Sequence, residues 1–514
     1  MAMKRFGTFQ KCLALSVASV LILSGCGSGS DEQGNELTSI SIGLSDEPGQ
    51  LAPASTTAVV PLTMDALVHA GLTKYNTDGE VEMNLAKSID TDDHKVFHIV
   101  LKDGLKFADG TPLTAENVKE SFSYLSDPDS PGATIDGVLL IDKIDVQSDT
   151  ELTFMLEKAN NAFLQYLAVP SMAVYPSKDL EDESDDWKGA GPFTLKEYNE
   201  GRNMVLEKNE NYYDADSVKL NEVNLDFYPD NTAQTNALVS GEVDMIDYVP
   251  WESFEQIDSD DKLVLDSQNG PFMYLMFNTT GDSPFANPLL RQAVAYAVNR
   301  QNTVNAAFNG NGEPTYGVAA DEDDPAYDPA WTKMYEEDMD HARELLKESG
   351  FDTSKEINFL ANSQYKFHED NALPVLSDLK KLGLKVKFDS PDWATRQERA
   401  QKGDYDISLN GTTGRIPGLG YLQTFINGAN MATVSYGYKN KKLENLFEQG
   451  MAADSNEKKK EAFDKAREEW TNDPPIVMLN QRGQAYAYTK DVQGFSTLPG
   501  FQSFYSGYSI QNIK

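Results

Sequence analysis

Residues Phe97–Val118, FHIVLKDGLKFADGTPLTAENV, decide the reading of the fold. Phe97, Ile99 and Leu101 alternate with His98 and Val100, the period of a strand with one face buried. Lys102-Asp103-Gly104 is a turn signal. Thr114 then stands where a helix N-cap belongs, and Val118, Phe122 and Leu125 follow at helical spacing. A strand, a turn and a helix within about thirty residues is the unit of a mixed α/β chain. Working outward, Ser39–Leu44 and Thr150–Leu156 read as further strands. Asn287–Asn309 reads as one long helix, with Pro288 in its first turn and Ala293, Ala297 and Val304 on the inner face. Asp340–Ser349 is a helix stopped by Gly350, and Asn456–Trp470 is an amphipathic helix rich in Glu and Lys. The predicted class is α/β, α+β in its sheets, which are mixed.

The ends and the charge bound the function. Lys4, Arg5 and Lys11 precede an apolar stretch, Cys12–Ser24, that is shorter than the ~20 residues a membrane-spanning helix needs. Residues 1–25 therefore read as a lipoprotein signal peptide. Leu23-Ser24-Gly25-Cys26 resembles a lipobox, which implies lipid attachment at Cys26 and anchoring to the outer face of the cell membrane. Residues 26–37, mostly Gly, Ser and acid, read as a flexible tether. Cys12 and Cys26 are the sole cysteines, so the mature chain is expected to form no internal disulfide and no Cys-based metal site. The formal charge is −37, and DNA or RNA binding, which needs a basic footprint, is excluded. Lys439–Lys442 and Lys458–Lys460 lie in helix-like stretches beside Glu residues and read as solvated faces.

Seven segments, in order, resemble the family 5 extracellular solute-binding proteins, the peptide- and nickel-type receptors of ABC importers. They are Ala66–Leu85 with Ala86-Lys87-Ser88, Phe97–Val118, Gly189–Phe193, Lys208–Tyr213 (KNENYY), Ala237–Asp244 (ALVSGEVD), Asn287–Arg300 (NPLLRQAVAYAVNR) and Ala342–Phe351 (ARELLKESGF). The resemblance implies a bilobal periplasmic-binding-protein type II flytrap with an extra subdomain, like the oligopeptide-binding proteins. It also implies the boundaries: lobe I from 38–70, 187–269 and 479–514, the additional subdomain from 71–186, and lobe II from 270–478. A monomer without cofactor or metal is expected, one that captures a small solute between its lobes and hands it to an ABC permease and its ATPase subunits. No enzyme is expected: G-x-S-x-G, P-loop, H-E-x-x-H and G-x-G-x-x-G patterns are absent from the sequence. His94 and His98 are four apart but sit on a strand edge, and a structural role is expected for both.

The solute is less legible. Peptide-binding members hold the peptide's ammonium with an Asp in the stretch after G-x-Y-D, which in this sequence is Gly403-Asp404-Tyr405-Asp406 followed by Ile407–Phe425. By ungapped count that position is Arg415, and no acid occurs between Asp406 and Glu444. A guanidinium repels an ammonium. Either the ligand's amine is held elsewhere or the ligand presents an anionic or neutral group here. Thr412-Thr413-Gly414-Arg415-Ile416-Pro417 is also similar to the R-T-x-G-x-P of nickel-binding members, without their aromatic, which Thr413 replaces. Trp251, Trp393, Tyr421, Tyr436 and Phe272 fall near family positions that face or flank the cleft, with core packing the alternative, favoured for Trp393. The candidate site is thus Arg415, Thr412, Thr413, Trp251, Trp393, Tyr421 and Phe272. The expected solute is an oligopeptide, the alternatives a metal chelate or an oligosaccharide or opine-like solute.

Overall fold

In Ser39–Leu44, Ile40, Ile42 and Leu44 are buried, as alternation predicts, and the strand runs parallel to Glu222–Phe227 and Met245–Ile246. Val96–Leu101 likewise buries Phe97, Ile99 and Leu101 and leaves His98 exposed. It lies inside a four-stranded antiparallel sheet with Ala86–Asp90, Glu151–Leu156 and Ile141–Val146. The following helix, Ala115–Leu125, starts where expected: Asn117 Oδ1 accepts the Thr114 backbone N–H at 2.9 Å. Its Phe122 meets Phe154 of the sheet edge-on, at 5.0 Å between ring centres. The computed structural model describes residues 37–48, 58–127, 130–181, 187–281, 283–320, 322, 324–428 and 430–514. The signal segment, Cys26 and the tether up to residue 36 lie outside the described residues.

The largest sheet has eleven strands. From one edge they run Phe193–Asn199, Asn203–Lys208, Glu222–Phe227, Ser39–Leu44, Met245–Ile246, Ile476–Thr489, Leu263–Phe277, Ile407–Gly411, Glu356–Leu360 and Lys385–Asp389, with Gly312–Pro314 added to Ile476–Thr489. The spine is the antiparallel pair of 14- and 15-residue strands, Ile476–Thr489 and Leu263–Phe277. Pairing is regular from Leu263 to Asn269, shifts between Asn269 and Phe272, and shifts again between Met273 and Tyr274. Pro271 stands in the first shift and has no N–H for the ladder. Gly270 beside it is obligatory for space, because a Cβ there would collide with the Gly500 carbonyl and Ser503 Oγ. On one side of this break the pair joins Met245–Ile246 through Tyr488 and Ala487. On the other it joins Ile407–Gly411 through Met273–Phe277.

One helix differs from expectation. Asn287–Asn309 is two helices, Pro288–Ala297 and Arg300–Phe308. Val298 is extended, and the Asn299 side chain accepts the Asn302 N–H at 2.9 Å, so Asn299 restarts the helix as an N-cap. The break also lets the buried Arg300 guanidinium reach the carbonyls of Ala295, Val298, Tyr335 and Met478.

Candidate functional site

The loop leaving Ile407–Gly411 carries Thr412, Thr413, Gly414 and Arg415 against the spine. Thr412 binds Phe272 through backbone and side chain: the Thr412 N–H donates to Phe272 O at 2.9 Å and the Phe272 N–H to Thr412 Oγ1 at 2.9 Å. The Arg415 N–H donates to Phe501 O at 3.2 Å, tying the loop to the short turn Gly500–Tyr505. Gly414 allows that approach, since a Cβ would come within 2.6 Å of the Tyr505 ring. Phe272 is the hub of an aromatic cluster, with Tyr274, Tyr421, Phe425 and Phe501 all within 6.0 Å between ring centres. The Tyr421 hydroxyl donates to Ala319 O.

Arg415 forms an ion pair with Asp136, 279 positions away in sequence. The side chains are 14% and 26% exposed, so the pair is screened much less than a surface pair. Burial alone pulls the Arg415 guanidinium down, but the Asp136 carboxylate together with the Tyr274, Tyr505 and Tyr166 hydroxyls offsets it and holds the guanidinium above its ordinary range. Thr424 Oγ1 donates to Asp136 at 3.4 Å. Gly137, in the left-handed region at φ 87°, turns the chain tightly against the Tyr166 ring. Tyr166, Tyr274 and Tyr505 feel this ion pair, and burial pushes the Tyr274 hydroxyl up to about 12.

A second guanidinium reaches the same loop. Arg482, in the spine strand and 5% exposed, donates through Nη2 to Thr412 O at 3.1 Å. Its guanidinium carbon lies 5.0, 5.6 and 5.9 Å from the ring centres of Phe367, Phe504 and Tyr248. Phe367 also abuts Trp251, whose Nε1–H donates to Gly483 O at 2.7 Å. Trp393 sits further along the same wall, edge-on to His368 at 5.8 Å and to Tyr365 at 5.6 Å. Burial, then the charges of Arg396 and Arg482, hold His368 well below the ordinary imidazole range, so its ring is neutral.

The predicted residues thus fall into two groups. Phe272, Thr412, Arg415 and Tyr421 cluster directly. Trp251 and Trp393 belong to a neighbouring aromatic wall, joined to the first group through Arg482. Thr413 is half-buried between Thr412 and Gly414, and Tyr436 is apart, its backbone N–H bonded to the Tyr405 hydroxyl at 3.3 Å. Sequence reasoning missed Asp136 and Arg482. Asp136 stands in no motif. Arg482 did leave a trace: Asn480–Gln484 (NQRGQ) is a polar interruption in an otherwise apolar strand.

A profile of the family described as bacterial extracellular solute-binding proteins, family 5 Middle, matches residues 80–433. The Oligopeptide-binding protein OppA of Bacillus subtilis is 24% identical over 96% of this chain and 97% of its own length. The Probable D,D-dipeptide-binding periplasmic protein DdpA of Escherichia coli is 28% identical over 90% and 92%. Among solved structures, the binding protein AgaA of A. tumefaciens R10, in complex with agropinic acid, is 33% identical, covers 93% of this chain and 98% of its own, and superposes with a TM-score of 0.83. NikA of Staphylococcus aureus, in complex with Ni(L-His)2, shares the fold at a TM-score of 0.71 and 22% identity, over 90% of this chain and 97% of its own. By its profile match, its relatives over nearly full length and its fold, the chain belongs to the family 5 bacterial extracellular solute-binding proteins.

Proposed function

We propose that the chain is the capture component of an ABC importer for a small carboxyl-bearing solute, an oligopeptide first among them, and that it works as a flytrap. The observation that carries this is the interrupted spine. Its regular pairing breaks at Gly270-Pro271, opposite Arg482, and each side of the break serves a different part of the sheet. That is where a hinge between lobe I (38–70, 187–269, 479–514) and lobe II (270–478) belongs, with 71–186 as the additional subdomain. Ligand touching both lobes favours the closed state because it gains contacts there that the open state lacks. The permease would read the closed shape. The mature chain would be held at the membrane by lipid on Cys26 and act as a monomer.

The curated relatives named for oligopeptides and dipeptides support a peptide. A second reading, an opine-like acid conjugate, is favoured by the guanidinium-rich site and by AgaA with its agropinic acid. The nickel-chelate reading has less support, since the aromatic of the nickel motif is replaced by Thr413. Thermal unfolding of residues 27–514 with peptide mixtures, an acid conjugate such as N-(1-carboxyethyl)glutamine, and Ni–histidine tests the three. A true ligand at 100 times its Kd stabilises by about 2.7 kcal/mol. Stabilisation by none of them, or turnover of any, rejects the capture role for these solutes.

A further inference from the structure

Four arginines are buried among the described residues: Arg291, Arg300, Arg396 and Arg482. Arg291 bonds through all three guanidinium nitrogens, to Pro474 O, Phe285 O and the Asp473 carboxylate. Arg300 donates to four backbone carbonyls. Arg396 donates to the Ala432 and Leu409 carbonyls, Ser408 Oγ and Gln397 Oε1. Arg482 makes a single hydrogen bond, to Thr412 O, and Nε is buried without an acceptor. No carboxylate among the described residues lies within ion-pair distance of it, and three aromatic rings cage it. A guanidinium carries five donors and keeps its charge at any pH the protein meets. A buried charge left this way is costly unless something brings it an anion.

Arg415, three residues beyond Thr412, has donors to spare as well. Asp136 takes Nη1, while Nε is buried without an acceptor. The Gln484 Nε2 amide, two residues along the spine from Arg482, is buried and without a partner too. Arg482 and Arg415 both abut the Gly500–Tyr505 turn, Arg482 over Phe504 and Arg415 through the Phe501 carbonyl. Two buried guanidiniums therefore flank the 412–415 loop, and among the described residues one of them, Arg415, has a carboxylate partner, in a protein whose formal charge is −37. The shortfall is one negative charge, local to the 412–415 loop, and Arg482 Nε, Arg415 Nε and Gln484 Nε2 are donors there without acceptors.

We propose that Arg482 and Arg415 form a receiving site for a ligand carboxylate, with Asp136 as the positioning residue that holds Arg415. The inference rests on the capture role above and deepens it by naming the ligand group read by this site. Carboxylate geometry suits it, because two oxygens can accept from two forked donors at once. The aromatic cage around Arg482 keeps water from competing and aims the guanidinium without neutralising it.

Titration calorimetry on residues 27–514 separates this from the choice of solute. The probes are trialanine, trialanine amide, N-(1-carboxyethyl)glutamine and its fully amidated form. Wild type should bind a free acid at least 30-fold more tightly than the matching amide. Arg482→Gln and Arg415→Gln should each bring that ratio close to 1. Arg482→Lys, which keeps the charge and the fold but not the fork, should leave an intermediate ratio. Asp136→Asn should lower the ratio about threefold by freeing Arg415 to wander, an effect that simple loss of stability would not produce. If trialanine fails while the glutamine conjugate shows the Arg482-dependent preference, the peptide reading falls and the carboxylate site stands. Equal affinity for acid and amide in wild type overturns the proposal. So does an unchanged preference in folded Arg482→Gln and Arg415→Gln, or binding of neither acid.

Discussion

The corner where Pro288–Ala297 packs and the loop at Thr412–Arg415 both bury arginine, and they treat it in opposite ways. At the first, Arg291 is closed off: its three nitrogens meet two carbonyls and Asp473, and nothing further can be added. At the second, Arg482 keeps one bond and a cage of rings. A saturated guanidinium ties elements together. One with a single bond and no carboxylate, as at Arg482, keeps most of its attraction for an anion unspent. The same contrast holds among acids. Asp247 is fully buried with no cation against it among the described residues, accepting instead from the Ser45 N–H at 2.6 Å and from Gln234 Nε2 at 3.0 Å.

Substitutions can sharpen or break this contrast. The largest effect is expected at the saturated corner, where Arg291→Leu should cost about 3–5 kcal/mol in denaturant unfolding by stranding buried acceptors. Arg482→Gln should cost far less stability; an equal loss at both sites would erase the distinction. Asp247 comes next. Burial raises its carboxyl to about 7, so the folded state binds a proton that the unfolded state has released between about pH 4 and 7. Its contribution to stability is therefore present at low pH and lost as pH rises through that window. Asp247→Asn should flatten this decline, read as the melting temperature at pH 5 and pH 8. A Gly270→Ala substitution presses a methyl on the Gly500 carbonyl and should cost roughly 1–3 kcal/mol; a neutral result would mean that the spine yields freely there. The smallest change is Asn299→Ala, about 1 kcal/mol through the lost cap, measured by the same unfolding curves.

Strands with one wet face were readable from the chain itself. Ser39–Leu44 and Val96–Leu101 announce themselves by alternation, and Thr114 announces its helix. Leu263–Phe277 and Ile476–Thr489 gave no such period. From Gly270 to Phe277 and from Ile476 to Asn480 every residue is buried, so apolar residues fall on both faces and the pattern vanishes. The helix break at Val298-Asn299 was hidden because Asn reads equally as a cap or as a tolerated helical residue. In the site, Thr412, Arg415, Phe272 and Tyr421 come from neighbouring strands and loops and could be found by resemblance. Asp136 could not: its pairing with Arg415 exists only once 279 positions of chain have folded back. An ion pair of that span leaves no spacing to read.

The spine has a consequence for the order of events at birth. Among the described strands Ile476–Thr489 comes last in sequence, yet it lies in the middle of the largest sheet, between Met245–Ile246 and Leu263–Phe277. Until Ile476–Thr489 has been made, the largest sheet lacks its middle, and closure must wait for contacts spanning 200 positions or more.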